Sequence, residues 1–247
     1  MADATDLGRL LVRRFGKFPE RYCVFDLETT GLNTRRDLAL EIGLCVVEGG
    51  NVVSQQASVL DWTRCDRVDQ QWLRDRLADV AKHMEKVGAV SLSYEELAER
   101  GSDPLETLAS CCDRLQSLSR RGYGIVFHNG IGYDWPLLDS SLARYCDRRL
   151  RLRTRFWDTR AVEVALALAA ADDGRWVPGP LEKETEYMLR LTQVPGVKSS
   201  LHRYCVPRYG LEEQLAGLSF HTAGADALAT HLVLQAQRRV LGLATEA

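Results

Sequence analysis

The feature that most constrains this chain is a set of three strand-like segments between residues 22 and 60, the first of which ends in acids. An apolar run over residues 22–27 closes on Asp26 and Glu28 and reads as a buried strand. Two more strands are predicted over residues 41–47 and 51–60, and Gly49-Gly50 between them supplies the positive-φ positions of a tight hairpin. The pattern then turns helical. A helix is expected over residues 66–87, and Ser93 with Glu96 forms a capping box for a second, short one. A third helix over 104–120 has Asp103 as its N-cap, Pro104 at its first position and Gly122 as its stop. Strands at 124–127 and 150–157 alternate with helices at 134–145 and 161–171, and helices near 181–191 and 223–241 follow. Loops fill residues 172–180 and 194–200, where Gly and Pro accumulate. Three strands followed by alternating helix and strand make an α/β protein with a mixed sheet flanked by helices. Its 247 residues suit one domain, with residues 62–102 read as a helical insertion that packs against the sheet and whose role, lid, interface or packing, is open.

Asp26 and Glu28 stand two apart, so on a strand both side chains point to one face. Neighbouring carboxylates repel unless a cation lies between them, and hard oxygen ligands suit Mg²⁺ or Mn²⁺. Taken alone, an Asp-x-Glu is more often a solvated strand end. A second acid, Asp134, follows a glycine-bearing turn, His128-Asn129-Gly130-Ile131-Gly132-Tyr133, and opens a helix, where it could cap, hold a metal, or do both. The third group is His221-Thr222-Ala223-Gly224-Ala225-Asp226. Its His and Asp converge only if His221 lies in the loop before the helix and Asp226 within it, and the small residues between let that helix approach the sheet closely.

Composition excludes several alternatives. The net charge of −2 gives no global attraction for polyanions, so any nucleic-acid contact needs a local basic face or metal ions. No apolar run approaches the roughly 20 residues of a membrane span, and the basic, apolar segment over residues 10–15 reads as a short N-terminal helix rather than a targeting peptide. Seven cysteines without a Cys-x-x-Cys pair argue against a structural zinc and point to a reducing cytoplasm. Arg149, Arg151, Arg153 and Arg155 alternate with Leu150, Leu152, Thr154 and Phe156. On a strand they form one basic face, either a phosphate track or, the reading favoured slightly, an edge strand protected by charge. Asp158 reads as a cap or structural residue, and His202 and His231 have no partner evident in the sequence.

Together the three acidic groups resemble the motifs of the DnaQ-like (DEDDh) 3′-to-5′ exonuclease superfamily, which has an RNase H-like fold. VFDLETTGL is similar to the first motif, FHNGIGYDWPLL to the second and HTAGADALAT to the third, while FWDT at 156–159 resembles the segment between the last two. The likeness runs from about residue 21 to 235. The spacing of HNG-x-x-YD-x-PLL and the HTA opening resemble the TREX type most, with Gly224-Ala225 as a departure where that type tends to carry an acid and a glycine.

The resemblance implies a metal-dependent exonuclease that removes nucleoside monophosphates from single-stranded DNA 3′ ends. Asp26, Glu28, Asp134 and Asp226 would hold two divalent ions, Mg²⁺ or Mn²⁺, with His221 as general base. Glu28, Thr29, Leu32, Tyr133 and His221 would contact the terminal nucleotide, while His128 and Asn129 shape the turn beneath the site. Two alternatives remain open from sequence: an RNA-trimming exonuclease, since these residues do not read the 2′-hydroxyl, and a proofreading or binding subunit dependent on a partner. Oligomeric state is likewise open, a homodimer included.

Overall fold

A computed structural model describes residues 4–86, 88–89, 91–219 and 221–243. Its centre is a five-stranded sheet in the order β3-β2-β1-β4-β5, formed by β1 (Arg21–Thr29), β2 (Ala39–Glu48), β3 (Asn51–Val59), β4 (Gly124–Phe127) and β5 (Phe156–Asp158). The first three strands run antiparallel, and β4 and β5 join parallel to β1, so the sheet is mixed. The β2–β3 turn is the expected two-residue hairpin. Gly49 and Gly50 have φ of 55° and 86°, the conformation that a twisted hairpin requires of both central residues.

Helices cover both faces. They are α1 (Ala4–Phe15), α2 (Gln70–Glu85), α3 (Tyr94–Arg100), α4 (Pro104–Arg120), α5 (Asp134–Cys146), α6 (Thr159–Ala170), α7 (Glu184–Thr192), α8 (Val206–Arg208) and α9 (Ala223–Val240). The Asp103 cap, the Ser93–Glu96 capping box and the Gly122 stop form as expected, with Gly122 at φ 83°. The helix expected over 66–87 begins at Gln70, where the Asp69 side chain caps it; Val87 lies outside the described residues.

The alternation of β1 decides what lies on each face. Cys23, Phe25 and Leu27 belong to a core shared with α4 and α5 and with Leu73, Leu77 and Leu97 of the 62–102 segment. Tyr22 and Val24 belong to the opposite core, with α1, α6, α7 and α9. Asp26 and Glu28 continue that second face, so the apolar stripe becomes acidic where β1 passes from beneath the body of α9 to its N-terminus.

Two expectations fail. The strand over 150–157 shrinks to Phe156–Asp158, because the backbone before it bonds elsewhere. Leu150 N donates to Asp139 (2.9 Å), and Arg153 N donates to Ser119 Oγ (3.0 Å). The arginines therefore do not share a strand face: Arg149 pairs with Asp139 at 2.7 Å and Arg155 donates to the Lys17 carbonyl. The strand face on which both the track and the charged-edge readings depended does not form. Residues 201–205, for which the sequence signals nothing, form a π-helical turn running into α8.

Candidate active site

Opposite Asp26 on β2 stands Gly43. A Cβ there would lie 2.0 Å from the Ala223 carbonyl, so only glycine lets the N-terminus of α9 rest on the sheet. This close approach brings Asp226, in the first turn of α9, down to β1. Carboxylate oxygens of Asp26, Glu28 and Asp226 lie within 4.8 Å of one another.

Asp134 approaches from the other side of β1. It opens α5, whose N-cap residue Tyr133 makes no side-chain cap bond. Its Oδ1 accepts the Leu27 N–H at 3.0 Å, because β1 passes within reach of the helix start. Its charge is the largest of the neighbouring acids' effects on Asp26.

Glu41, not singled out from sequence, faces Glu28 across the β1–β2 ladder. Its Oε2 accepts the Ala223 N–H at 2.9 Å, so it ties the positive end of α9 to the sheet. Only the β1–β2 register reveals it, and no spacing within either strand carries that register.

These acids crowd one another. Burial first, then Asp134, Asp226, Glu28 and Glu41, holds the Asp26 carboxyl well above the usual carboxylate range. Burial, then Asp226, Glu41 and Asp134, pushes Glu28 up to about 8. Asp134 rises to about 7, chiefly through burial, against the lowering effect of the Leu27 N–H. A set of hard oxygen donors that resist joint ionisation fits divalent cations, whose charge would relieve the conflict.

His221 precedes the Thr222 cap of α9, as its spacing requires, and adopts φ 62°. That left-handed backbone is uncommon for histidine and costs roughly 1–3 kcal/mol, held here by its surroundings. The His221 N–H donates to Asp226 Oδ1 at 3.2 Å. Burial lowers the imidazole pKa most, Asp226 raises it, and His202 and Arg203 lower it further.

His202 is a second residue that sequence reasoning missed. It sits in the π-helical turn and donates through Nε2 to Asp226 Oδ1 at 2.8 Å. Its ring meets the His221 ring edge-on at 5.1 Å. Ligand atoms of His202, His221 and Asp226 also lie within 4.8 Å of one another. No periodicity signals a pairing between a π-helical turn and a helix that begins beyond an intervening loop.

The remaining expected residues gather at the end of β1. The Thr29 and Tyr133 hydroxyls stand 2.6 Å apart, and both donate to the Gly31 carbonyl. Leu32 is 84% exposed on the loop that follows. That loop is clasped through Asp37, 2% exposed, which accepts from Thr30 Oγ1 (3.1 Å), Asn33 N (2.7 Å) and Arg76 of α2 (3.2 Å). His128 and Asn129 lie beneath the site: His128 Nδ1 meets Thr159 Oγ1 at 2.8 Å, and the Asn129 N–H donates to Asp158. Asp158 also caps α6, the structural role expected of it, and His231 accepts from the Tyr22 hydroxyl at 2.9 Å.

Glu28, Thr29, Glu41, His202 and His221 line a cleft of about 640 Å³, and its far wall is the 62–102 segment, with Val80 and Met84 of α2, Leu92, and Arg100 of α3. The insertion thus does more than pack on the sheet; it completes the cleft.

The fold is the RNase H-like mixed sheet found in the exonuclease I structures. A moderately thermophilic exonuclease I from Methylocaldum szegediense is similar at a TM-score of 0.59 and 18% identity, over 89% of this chain and 40% of that one. E. coli exonuclease I in complex with a 5cy-dA13 oligonucleotide is similar at 0.54 and 14%, over 89% and 40%. The same enzyme with a dT13 oligonucleotide gives 0.53 and 16%, over 90% and 43%. This chain therefore spans about two fifths of those enzymes' length. No protein-family model matches the sequence, and no curated protein matches it.

Proposed function

We propose that the chain is a single-domain, metal-dependent 3′-to-5′ exonuclease of the DnaQ-like superfamily, removing nucleoside monophosphates from single-stranded DNA. The observation that carries this reading is the convergence of Asp26, Glu28 and Asp226 at one point, with the His221 side chain at its edge. The fold shared with exonuclease I supports the class of reaction. The TREX type rests only on the spacing of the second motif and the His221-Thr222-Ala223 opening of the third. Seven free thiols suit a reducing compartment such as the cytoplasm.

Asp26, Glu28, Asp134 and Asp226 would hold two Mg²⁺ or Mn²⁺ ions, which supply charge stabilisation at the scissile phosphate and acidify the attacking water. The His221 ring nitrogen takes the proton from that water; the lowered imidazole pKa keeps the ring neutral and ready to accept at physiological pH. His202 fixes the Asp226 carboxylate. Thr29 and the exposed Leu32 would meet the terminal nucleotide and Tyr133 its phosphate, and apolar contacts of this kind tolerate any base.

The test is digestion of 5′-labelled and 3′-labelled oligonucleotides with and without Mg²⁺. Label at the 3′ end is released at once, whereas 5′-labelled strands shorten stepwise, and both need the metal. His221→Ala lowers kcat by roughly 10²–10⁴-fold, the usual contribution of a general base, and Asp26→Ala abolishes turnover. Full activity of either variant would falsify the assignment. Faster digestion of a matched RNA strand would move the substrate class to RNA.

A further inference from the structure

Beside the cleft lies a groove of about 470 Å³ lined by Arg160, Lys198, Ser199, Arg203 and Tyr204, among others. Arg203 lines both the groove and the cleft, so the two adjoin. No acidic side chain lines the groove. Among the described residues, none of Arg160, Lys198 and Arg203 takes part in an ion pair, although the chain as a whole is slightly acidic and Arg175, Arg190 and Arg208 nearby in sequence are all paired. The Arg160 Nε is buried without a hydrogen-bond partner. A buried guanidinium nitrogen left unsatisfied is costly, and an anion is the partner it lacks.

The frame of the groove is fixed from beneath the active site. His128 meets Thr159, the neighbour of Arg160, on one side, and bonds the backbone of Ser199 on the other. Its pKa is pushed down to about 3 by burial and then by Arg160, so it stays neutral and serves as a strut. The positive charge of the groove therefore belongs to Arg160, Lys198 and Arg203. Tyr204 adds an aromatic ring at the same wall.

We infer that this groove is a track for the phosphodiester backbone of a single strand, binding the phosphates on the 5′ side of the one in the cleft. The inference rests on the exonuclease reading for the direction of the strand. It also gives a chain with a net charge of −2 the local basic surface that polyanion binding demands. The arginines of residues 149–155, whose regular spacing suggested such a track, do not lie on a strand, and this cluster, scattered in sequence, takes that place.

The experiment compares wild type with the double variant Lys198→Glu/Arg203→Glu. Binding of an oligothymidylate of about twelve nucleotides, and of dTMP, is measured across a salt series in EDTA, where no hydrolysis occurs. The oligonucleotide should lose at least about tenfold in affinity, and its log K against log salt slope should flatten by about 0.7 for each phosphate contact removed. The loss for dTMP should be smaller by an order of magnitude. A neutral pair, Lys198→Gln/Arg203→Gln, should fall between, and thermal melting checks that each variant folds. An unchanged slope, or equal losses for oligonucleotide and dTMP, would overturn the track. Hydrolysis of the p-nitrophenyl ester of dTMP by wild type with Mg²⁺ tests the metal cage separately. If wild type cleaves neither ester nor strand yet the oligonucleotide results hold, the exonuclease reading falls and the groove stands as a strand-binding surface.

Discussion

Asp226 serves two groups at once: its carboxylate belongs to the acidic cluster, and its Oδ1 also accepts from His202 Nε2 and the His221 N–H. Removing His202 should therefore loosen a proposed metal ligand without emptying the cleft. His202→Ala is expected to raise the Mg²⁺ concentration for half-maximal activity by about 10–100-fold, the usual effect of losing a ligand's supporting hydrogen bond, while His202→Gln, which keeps a donor, recovers part of it. An unaltered Mg²⁺ requirement would remove His202 from the site. The acids also set a pH dependence of stability. Glu28 at about 8 and Asp134 at about 7 hold their protons in the folded chain far above the values near 4 of the unfolded one. The folded state thus binds more protons than the unfolded state, and stability falls as pH rises from about 4 to about 8. His231, lowered to about 4 by burial, has the opposite sign, its stabilisation being lost as pH falls from about 6.5 to 4. Between about 6.5 and 8 the carboxylates prevail. The melting temperature in EDTA should drop across that interval, and Mg²⁺ should raise it more at pH 8 than at 6.5; a rise in EDTA would contradict the mutual repulsion of the acids.

At the scale of elements, the site depends on how near α9 comes to β2. Gly43→Ala places a methyl group against the Ala223 carbonyl, and the backbone has to give way. The expected cost is about 1–3 kcal/mol, as for other overpacked sites, read from the urea midpoint, together with a fall in kcat as Asp226 moves off β1. Elements of this kind were legible in the sequence wherever periodicity and capping agree. The β1 acids, the Gly49-Gly50 turn, the Asp103-Pro104 start of α4 and the placement of His221 before α9 all follow from local chemistry. The 150–157 segment alternates like a strand, yet Asp139 and Ser119 take its N–H groups, a tertiary competition that alternation does not encode. Glu41 and His202 were illegible for the same reason: a strand register joins one to the site and an irregular turn joins the other.

In the whole molecule, one sheet separates two large cores, a third, smaller cluster gathers around Leu201, Cys205 and Leu215, and thiols are spread through all three. Six of the seven cysteines are buried, and Cys146 alone is partly open. An aromatic disulfide reagent should therefore titrate at most one thiol rapidly in the native protein and all seven in guanidinium, and reducing agent should leave the melting temperature unaltered. Two or more fast thiols in the native state would mean that the cores open. The 62–102 segment joins the same architecture from outside the sheet, with Leu73, Leu77 and Leu97 in a core and Val80 and Met84 on the cleft. The hairpin turn at Gly49-Gly50 lies at the other end. Glu41 stands beside the acids and Glu48 beside the turn, so β2 sets them roughly 24 Å apart at about 3.4 Å per residue. A Cβ at either glycine would meet nothing within 4 Å. A fluorophore grafted into that turn would leave the cleft untouched while sitting within energy-transfer range of a dye on an added strand, so that the proposed arrival and shortening of a chain could be watched directly.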